Sequence, residues 1–219
     1  MVIIRVYKNC IKRLLDFFLS LIAIIVLSPL LIVLTIVGTV KMKGNPFFAQ
    51  ERPGWNEKVF KLIKFRTMTN EKDSKGHLLP DEDRLIPYGK FLRSTSLDEL
   101  PELFNILCGR LSIIGPRPLL VSYLRYYTEE EHHRHDVRPG LTGYAQVHGR
   151  NYVTWEDKFK MDLWYVEHIS FLTDIRILID TVMVVFKREN IETASKIVHD
   201  GVTYQPLDVE REKKETNNG

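Results

Sequence analysis

The chain has 219 residues and a mass of 25.7 kDa, enough for one domain with a sizeable core. Apolar residues make up 44% of it and charged residues 27%, which excludes an intrinsically disordered, collagen-like or polytopic membrane protein. The two cysteines, Cys10 and Cys108, are too few for a disulfide framework, so a reducing compartment is favoured.

The net charge of +3 is concentrated at the N-terminus. Residues 1–40 hold four cations and one anion, and the other 179 residues carry 27 of the 31 cations and 27 of the 28 anions. A protein that binds nucleic acid through its charge needs a basic body, so we expect no nucleic-acid partner. A basic N-terminus next to an apolar segment indicates an anionic membrane surface instead.

An uncharged apolar segment extends from Phe17 to Val40. As a helix its 24 residues would be about 36 Å long, enough to cross a bilayer. It is too long for a cleaved signal peptide and lacks a small-x-small cleavage site before Lys41. Basic residues flank both ends, and the positive-inside rule therefore places both ends in the cytoplasm.

Ser28 and Pro29 lie near the centre of this segment. Proline removes one backbone donor and clashes with the carbonyl four residues earlier, while the serine hydroxyl can donate to a freed carbonyl. The pair therefore predicts a kink. From these residues alone two topologies stay open: a re-entrant helix that dips into the bilayer and returns, and an ordinary kinked transmembrane helix.

Shorter elements follow in chain order. A turn at residues 44–46 precedes a strand or hairpin within residues 58–68, where β-branched and aromatic residues alternate in part with cations. Residues 70–84 are charged and contain Gly76 and Pro80, which predicts a loop. The helical patterns cover residues 97–107, 119–127, 155–166 and 175–186. The last of these is too short to span a membrane, and it packs in the core or lies in the headgroup region.

The acidic pair Asp98–Glu99 lies in the most informative stretch. Ser96 followed by Glu99 matches a capping box, in which Glu99 would only reach back to the Ser96 amide. Asp98 would then lie in the first helical turn, where the helix dipole holds its pKa down. An ionised carboxylate there can act as a nucleophile or as a ligand for a hard cation.

Several cations occur outside any amphipathic pattern. Arg117 lies between two prolines, which suits either a preorganised anion contact or a structural brace for the loop. Together with an acidic pair and Mg²⁺, a set of such cations suits diphosphate chemistry. There is no Walker A loop, and the histidine-rich run at residues 131–136 lacks metal-ligand spacing and is treated as a structural or solvated segment. The other cations in this group are Lys64, Arg66, Arg93 and Arg150.

Seven motifs in order resemble those of the bacterial sugar transferases that act on polyprenyl phosphate, the monotopic phosphoglycosyl transferases. The resemblance covers nearly the whole chain and is closest to the small single-domain members, such as those that start bacterial N-glycan assembly. The motifs are KRLLDF at 12–17 with SP at 28–29, FxQxRPG at 48–54, KFRTM at 64–68, RSxSLDEL at 93–100, GPRP at 115–118, VRPGLTG at 137–143 and AQVHGRN at 145–151.

The resemblance implies a reaction and a set of site residues. A sugar 1-phosphate passes from a UDP-sugar, expected to be an N-acetylated amino sugar, to undecaprenyl phosphate, giving undecaprenyl-diphosphate-sugar and UMP. It implies a ping-pong mechanism in which Asp98 is the nucleophile that carries a covalent phospho-sugar, Glu99 is its partner, and Mg²⁺ is held near Asp98. The residues expected to contact phosphate, nucleotide or sugar are Lys64, Arg66, Arg93, Arg117 and Arg150.

The resemblance also implies an architecture and a location. The expected fold is α+β and predominantly helical, with a re-entrant membrane helix over residues 1–40 broken at Ser28–Pro29, a cytoplasmic catalytic domain with interfacial amphipathic helices over residues 41–206, and a disordered tail over residues 207–219. The protein would be monotopic at the cytoplasmic face of the bacterial inner membrane, with membrane lipids and downstream glycosyltransferases as partners. The alternative is a catalytically silent membrane scaffold or lipid-phosphate-binding protein with the same fold.

Overall fold

The structure, a computed structural model, describes residues 6–149, 153–187, 198–199, 202–203 and 206–218. Helices dominate these ranges and the strands are short and paired, so the predicted α+β, predominantly helical class is confirmed. A π-helical turn, Tyr7–Ile11, precedes the first α-helix. The α-helices are α1 (Lys12–Lys41), α2 (Asp81–Arg84), α3 (Pro87–Ser94), α4 (Glu102–Leu107), α5 (Glu129–His132), α6 (Tyr144–His148), α7 (Trp155–Glu167), α8 (Phe171–Lys187) and α9 (Leu207–Asn218).

The strands form two-stranded units. An antiparallel hairpin joins β1 (Phe47–Pro53) to β2 (Val59–Phe65), and β2 confirms the strand or hairpin predicted within residues 58–68. Alternate residues of β2, Phe60 and Leu62, are buried against α4, which places the end of this strand next to that helix. The remaining pairs are β3 (Ser112–Ile114) with β4 (Gly140–Thr142), which is parallel, and β5 (Val198–His199) with β6 (Val202–Thr203), which is antiparallel.

Helix α1 contains the predicted apolar segment. In the part of the chain that the structure describes, it is the one helix long and apolar enough to cross a bilayer, with a mean hydropathy of 3.0 over 18 residues. The helix continues through Pro29. Pro29 leaves the Ile25 carbonyl without its usual helical donor, and the Ser28 hydroxyl donates to that carbonyl at 2.8 Å. Ser28 and Pro29 therefore alter the hydrogen bonding of the helix without replacing it by a loop.

The start of α1 is bonded to the globular part of the chain through buried polar groups. Lys12 Nζ donates to Asp174 Oδ2 of α8 at 2.6 Å. The Asp16 carboxylate accepts from Ser112 Oγ at 2.7 Å and from the Ile113 amide at 3.0 Å. Because these charged groups are buried and paired, they attach the first turns of α1 to α8 and β3.

The end of α1 packs on the same globular part. Leu34 is buried in a cluster with Phe65 and Leu92, and the Tyr88 hydroxyl donates to the Leu34 carbonyl at 3.0 Å. Four residues further on, Gly38 lies so close to the loop before β1 that an added Cβ would be 2.9 Å from a Pro46 side-chain atom. Both ends of α1 are thus attached to one globular unit.

Helix α8 has two apolar faces with different surroundings. Ile177 is buried in a cluster with Tyr165 and Ile169, while Leu172 is 78% exposed and Ile179 55% exposed. The helix predicted for residues 175–186 is confirmed. The buried face confirms that the helix lines the core, and the outward apolar surface leaves the headgroup location as a prediction.

Two helices predicted from the sequence are wrong in part: the first is α-helical only over Glu102–Leu107, and the second is helical but of the 3₁₀ type. The predicted helix over residues 97–107 is a 3₁₀ turn, Leu97–Glu99, followed by α4, because Ser96 adopts a left-handed φ of 54° and Pro101 precedes Glu102 as the N-cap of α4. The predicted helix over residues 119–127 is a 3₁₀ helix, Val121–Tyr126. By contrast, the helix predicted over residues 155–166 is confirmed by α7.

The prediction of a disordered tail is also wrong for Leu207–Asn218, which form α9. Leu207 is fully buried with Tyr123 and Phe159. Arg211 donates to Glu131 at 2.5 Å, which adds an ion pair between α9 and α5. The buried Leu207, the Arg211–Glu131 ion pair and a hydrogen bond from the Tyr126 hydroxyl to Glu212 all attach this polar helix, and its composition indicates none of these contacts.

Candidate active site

The acidic pair lies on the 3₁₀ turn between α3 and α4. The Ser96 side chain makes no capping hydrogen bond, and the Glu99 carboxylate is directed to cations from other segments. The interpretation of Glu99 as the partner in a capping box is therefore wrong, because two long-range ion pairs have replaced the local contact.

Glu99 is at the centre of an ion-pair cluster built from β2, α4 and the Gly115–Pro118 loop. Lys64 Nζ donates to Glu99 Oε1 at 2.7 Å and lies 3.1 Å from Glu102 Oε1. Arg117 Nη2 donates to the same Glu99 oxygen at 2.8 Å. The Glu102 side chain is only 4% exposed, so this charge is enclosed by protein.

The two glutamates of this cluster have opposite pKa shifts. Burial acts to raise the pKa of Glu99, but the positive charges of Arg117 and Lys64 outweigh it and lower that pKa to about 2. Burial raises the pKa of Glu102 to about 7; Lys64 opposes this shift and the negative charge of Glu99 adds to it. At neutral pH Glu99 is therefore an anion, while Glu102 titrates.

Asp98 has a different environment from its neighbour. Burial and the negative charge of Glu99 raise its pKa, and the positive charges of Lys64 and Arg93 oppose that shift. The prediction that the helix dipole lowers this pKa is wrong, because Asp98 lies on the 3₁₀ turn before α4 and not in a first α-helical turn. Its carboxylate accepts from its own backbone amide, and no ion pair to it occurs among the described residues.

The structure brings together some of the other predicted substrate contacts. Arg93 Nε donates to Thr67 Oγ1 at 3.1 Å, which orients this guanidinium just after β2. Arg66 follows β2 directly, and its amide donates to the Pro46 carbonyl at 2.7 Å. Arg66 forms no ion pair with the acidic pair within the ranges described. Arg150 lies outside the described residues.

Arg52 is a cation of this site that was not among the predicted site residues. It lies in the FxQxRPG motif, which was the signal available in the sequence. Arg52 Nη1 donates to the Pro118 carbonyl at 3.3 Å and Nη2 to Gln50 Oε1 at 2.6 Å. Burial and the nearby charge of Arg117 lower its pKa. With Lys64, Arg117 and Glu102 it lines a cavity of 80 Å³ beside the ion-pair cluster.

An apolar groove of 330 Å³ lies between α1 and the β1–β2 hairpin. It shares elements with the charged site, since Phe65 of its wall follows Lys64 on β2 and Phe104 of its wall follows Glu102 on α4. The polar cavity and the apolar groove thus lie on opposite sides of the same strand and helix. The remaining lining residues come from α1 and β1: Ile24, Ser28, Leu31, Ile32, Thr35, Ile36 and Phe47.

The carboxylates near the ion-pair cluster are the available ligands for a magnesium ion. No group of three or more His, Cys, Asp or Glu side chains arranged for a metal occurs in the described part of the chain. In phosphate chemistry, however, Mg²⁺ is commonly held by one or two carboxylates, with substrate phosphates and water completing the octahedron. Asp98, which makes no ion pair with any described residue, fits this role, whereas Glu99 is already paired with Lys64 and Arg117.

Sequence comparison decides the family. The profile of the bacterial sugar transferases matches residues 7–188. The chain belongs to the bacterial sugar transferase family. The resemblance inferred from the seven motifs is thereby confirmed.

Curated relatives of this sugar transferase cover most of its length. EpsL of Bacillus subtilis, an uncharacterised sugar transferase, is 51% identical over 174 residues, which are 78% of this chain and 86% of that protein. The UDP-glucose:undecaprenyl-phosphate glucose-1-phosphate transferase of Klebsiella pneumoniae is 40% identical over 181 residues, 78% of this chain and 39% of that protein. The undecaprenyl-phosphate galactose phosphotransferase of Salmonella typhimurium is 36% identical over 198 residues, 81% of this chain and 41% of that protein. The chain thus spans about two fifths of these two longer enzymes.

Proposed function

We propose that this sugar transferase moves a sugar 1-phosphate from a UDP-sugar to undecaprenyl phosphate, giving undecaprenyl-diphosphate-sugar and UMP. Relatives from Klebsiella and Salmonella are named for transfers to undecaprenyl phosphate. The observation that carries the proposal is the position of Asp98, a half-buried carboxylate that makes no ion pair with the described residues and is close to the charges of Lys64 and Arg93. Lys64 lies on β2, the strand that also lines the apolar groove. This arrangement suits a charged donor and a lipid acceptor that react at one carboxylate.

The proposed chemistry has two displacements at one phosphorus atom. A carboxylate oxygen of Asp98 attacks the β-phosphorus, the bond from that phosphorus to the bridging oxygen breaks, and UMP leaves with that oxygen. An oxygen of undecaprenyl phosphate then attacks the same phosphorus and releases Asp98. Mg²⁺ held by Asp98 and the substrate phosphates would neutralise phosphoryl oxygens. Lys64, Arg93 and Arg117 place positive charge around the reacting group.

Two different environments support the two substrates. The cavity lined by Arg52, Lys64 and Arg117 is polar and suits phosphate oxygens of the donor. The groove between α1 and the hairpin is apolar and suits the prenyl chain of the acceptor. Lys64 lines the polar cavity and Arg66 directly follows the strand whose Phe65 lines the groove, so these two cations are our candidates for the acceptor phosphate.

The packing of α1 supports a re-entrant topology. Lys12 and Gly38 both contact the same globular unit, although a straight helix would separate them by about 39 Å, more than the hydrocarbon thickness of a bilayer. A simple span would put them on opposite sides of the membrane. We therefore propose that α1 dips into the bilayer and returns, that the exposed apolar face of α8 lies in the headgroup region, and that the globular unit is at the cytoplasmic face of the bacterial inner membrane.

The covalent step is tested with the donor alone. The purified protein in lipid nanodiscs is mixed with Mg²⁺ and a UDP-sugar, UMP is measured, and the protein is analysed by intact mass and peptide mapping. We expect up to one UMP per protein and a phospho-sugar adduct on Asp98. Asp98→Asn should abolish both signals, while the matched control Asp73→Asn, in the loop before α2, should retain them. Full turnover with acceptor but no adduct with donor alone would refute the covalent intermediate.

The same assay addresses the sugar and the alternative function. A panel of UDP-sugars should include N-acetylated amino sugars, UDP-glucose and UDP-galactose, because relatives are named for glucose and galactose transfer. We expect an N-acetylated amino sugar to be preferred. No UMP release with any donor, in the presence of undecaprenyl phosphate and Mg²⁺, would favour the silent scaffold or lipid-phosphate binder.

A further inference from the structure

Arg134 is a buried arginine that does not line the polar cavity. It lies in the histidine-rich run at residues 131–136, and its side chain is only 1% exposed. Its Nη2 donates to Asp162 Oδ2 at 2.6 Å and its Nε to the same oxygen at 3.1 Å. Nη2 also donates to the backbone carbonyl of Arg117 at 2.8 Å, and Nη1 is 3.4 Å from the Tyr127 hydroxyl.

Stability alone gives little reason for this arrangement. A buried ion pair is often no more stabilising than apolar side chains of the same volume, because both charges lose their hydration. Apolar residues could not supply the hydrogen bond to the Arg117 carbonyl, which is shorter than the contact with the Tyr127 hydroxyl. Arg134 therefore joins Asp162 on α7 to the loop that carries a cation of the active site.

The loop from Pro116 to Pro118 is held at two consecutive carbonyls. Arg134 donates to the carbonyl of Arg117, and Arg52 donates to the carbonyl of Pro118. Both flanking residues are prolines, so the loop has few backbone donors of its own and little conformational freedom. A carbonyl fixed in this way sets the direction in which the Arg117 side chain leaves the backbone.

We propose that Arg134 is a positioning residue of the active site. Oriented by Asp162, it fixes the backbone of Arg117 so that the Arg117 guanidinium reaches Glu99 Oε1, at 2.8 Å, and the phosphate groups beside it. The inference rests on the proposed function, in which Arg117 contacts substrate. Arg134 itself is too deeply buried to touch either substrate. Arg52 also bonds to this loop, but it lines the cavity directly. A mutation of Arg52 would therefore change loop position and substrate binding together.

Variants can remove the positioning contact without leaving a buried charge unpaired. Arg134→Met combined with Asp162→Leu removes both members of the ion pair at once, whereas either change alone would strand a charge. Arg134→Lys keeps the positive charge but loses the planar fork that reaches Asp162 and the Arg117 carbonyl at the same time. The matched control is Arg211→Met, which removes the arginine paired with Glu131 and leaves the Pro116–Pro118 loop untouched.

The decisive measurement is a double-mutant cycle with Arg117→Ala, read as kcat/KM for UMP release, with thermal unfolding of every variant. We expect Arg134→Met/Asp162→Leu to lower kcat/KM between about tenfold and hundredfold, because small misplacements of a positioning group cost about this much. In the Arg117→Ala background the same change should cost less than about twofold, since its target is already gone. Arg211→Met should retain normal kcat/KM.

Each other outcome overturns either this inference or the proposed function. If the paired variant folds and keeps full activity, or if its loss is equally large in the Arg117→Ala background, Arg134 does not act through Arg117. If the paired variant does not fold, Arg134→Lys is used in the same cycle and the same criteria apply. Absence of UMP release from the wild-type protein would instead refute the proposed function.

Discussion

The buried carboxyl of Glu102 gives a quantitative test of the electrostatics of the site. Burial raises its pKa from 4.5 to about 7. The positive charge of Lys64 opposes this rise, and the negative charge of Glu99 adds to it. The folded protein therefore binds this proton more tightly than the unfolded chain does. It follows that Glu102 makes folding progressively less favourable as the pH rises from about 4.5 through about 7, and that the full cost is present above pH 7.

The size of the effect follows from the pKa difference. A rise in pKa of about 2.5, at about 1.4 kcal/mol for each pKa unit, gives an upper limit between roughly 3 and 4 kcal/mol. Glu102→Gln keeps the shape of the side chain and one acceptor oxygen for Lys64 but cannot ionise. We therefore expect this variant to be more stable than the wild type above pH 7 by about 1 to 3 kcal/mol, with the difference vanishing towards pH 4.5.

The measurement is urea-induced unfolding in detergent micelles at pH 5, 7 and 8.5. The control is Glu99→Gln, because Arg117 and Lys64 overcome the effect of burial and lower the pKa of Glu99 to about 2. That charge stabilises the folded protein at all three pH values and is lost only as the pH falls from about 4.5 towards about 2. Glu99→Gln should thus be less stable throughout. The reasoning is refuted if Glu102→Gln is less stable than the wild type at pH 8.5, or if its effect does not change with pH.

Three further perturbations test the fold and the topology. Asp16→Asn weakens the buried hydrogen bonds between α1 and β3, and we expect a loss of about 1 to 3 kcal/mol in unfolding free energy; an unchanged urea midpoint would contradict this. Gly89→Ala would place a Cβ 1.8 Å from the Thr67 carbonyl oxygen, so we expect the melting temperature to fall by at least about 4 °C. A melting temperature equal to that of the wild type would show that the backbone moves apart at no cost and would contradict this prediction. In a variant lacking native cysteines, new cysteines at Lys8 and Val209 should both be inaccessible to an impermeant thiol reagent applied outside intact cells; labelling of either would rule out re-entry.

Local patterns were sufficient for several elements of this protein. The uncharged run from Phe17 to Val40 predicts a long apolar helix because only its own composition matters, and the structure has α1 there. The hairpin strand and the helices α7 and α8 also follow from short-range periodicity. The family could be inferred as well, because its motifs are short runs of adjacent residues.

The geometry of the candidate site could be inferred only in part. The sequence analysis selected the acidic pair and most of the cations that the structure brings together, but the pattern of Ser96 and Glu99 indicated a local cap. In the structure Glu99 instead pairs with Lys64, 35 residues earlier, and Arg117, 18 residues later. The sequence also contained Arg52 and Arg134 without indicating that their guanidinium groups hold neighbouring carbonyls of one loop.

The residues by themselves thus determined the long apolar helix, the hairpin strand, the late helices and the family. Tertiary structure decided which way the carboxylates face, raised the pKa of Asp98 where the helix dipole alone would lower it, and folded the polar tail into α9 around Leu207. The physical reason is the range of the forces involved. Helix and strand preferences depend on neighbours within a few positions, whereas burial and charge pairing depend on segments that only the folded chain brings together.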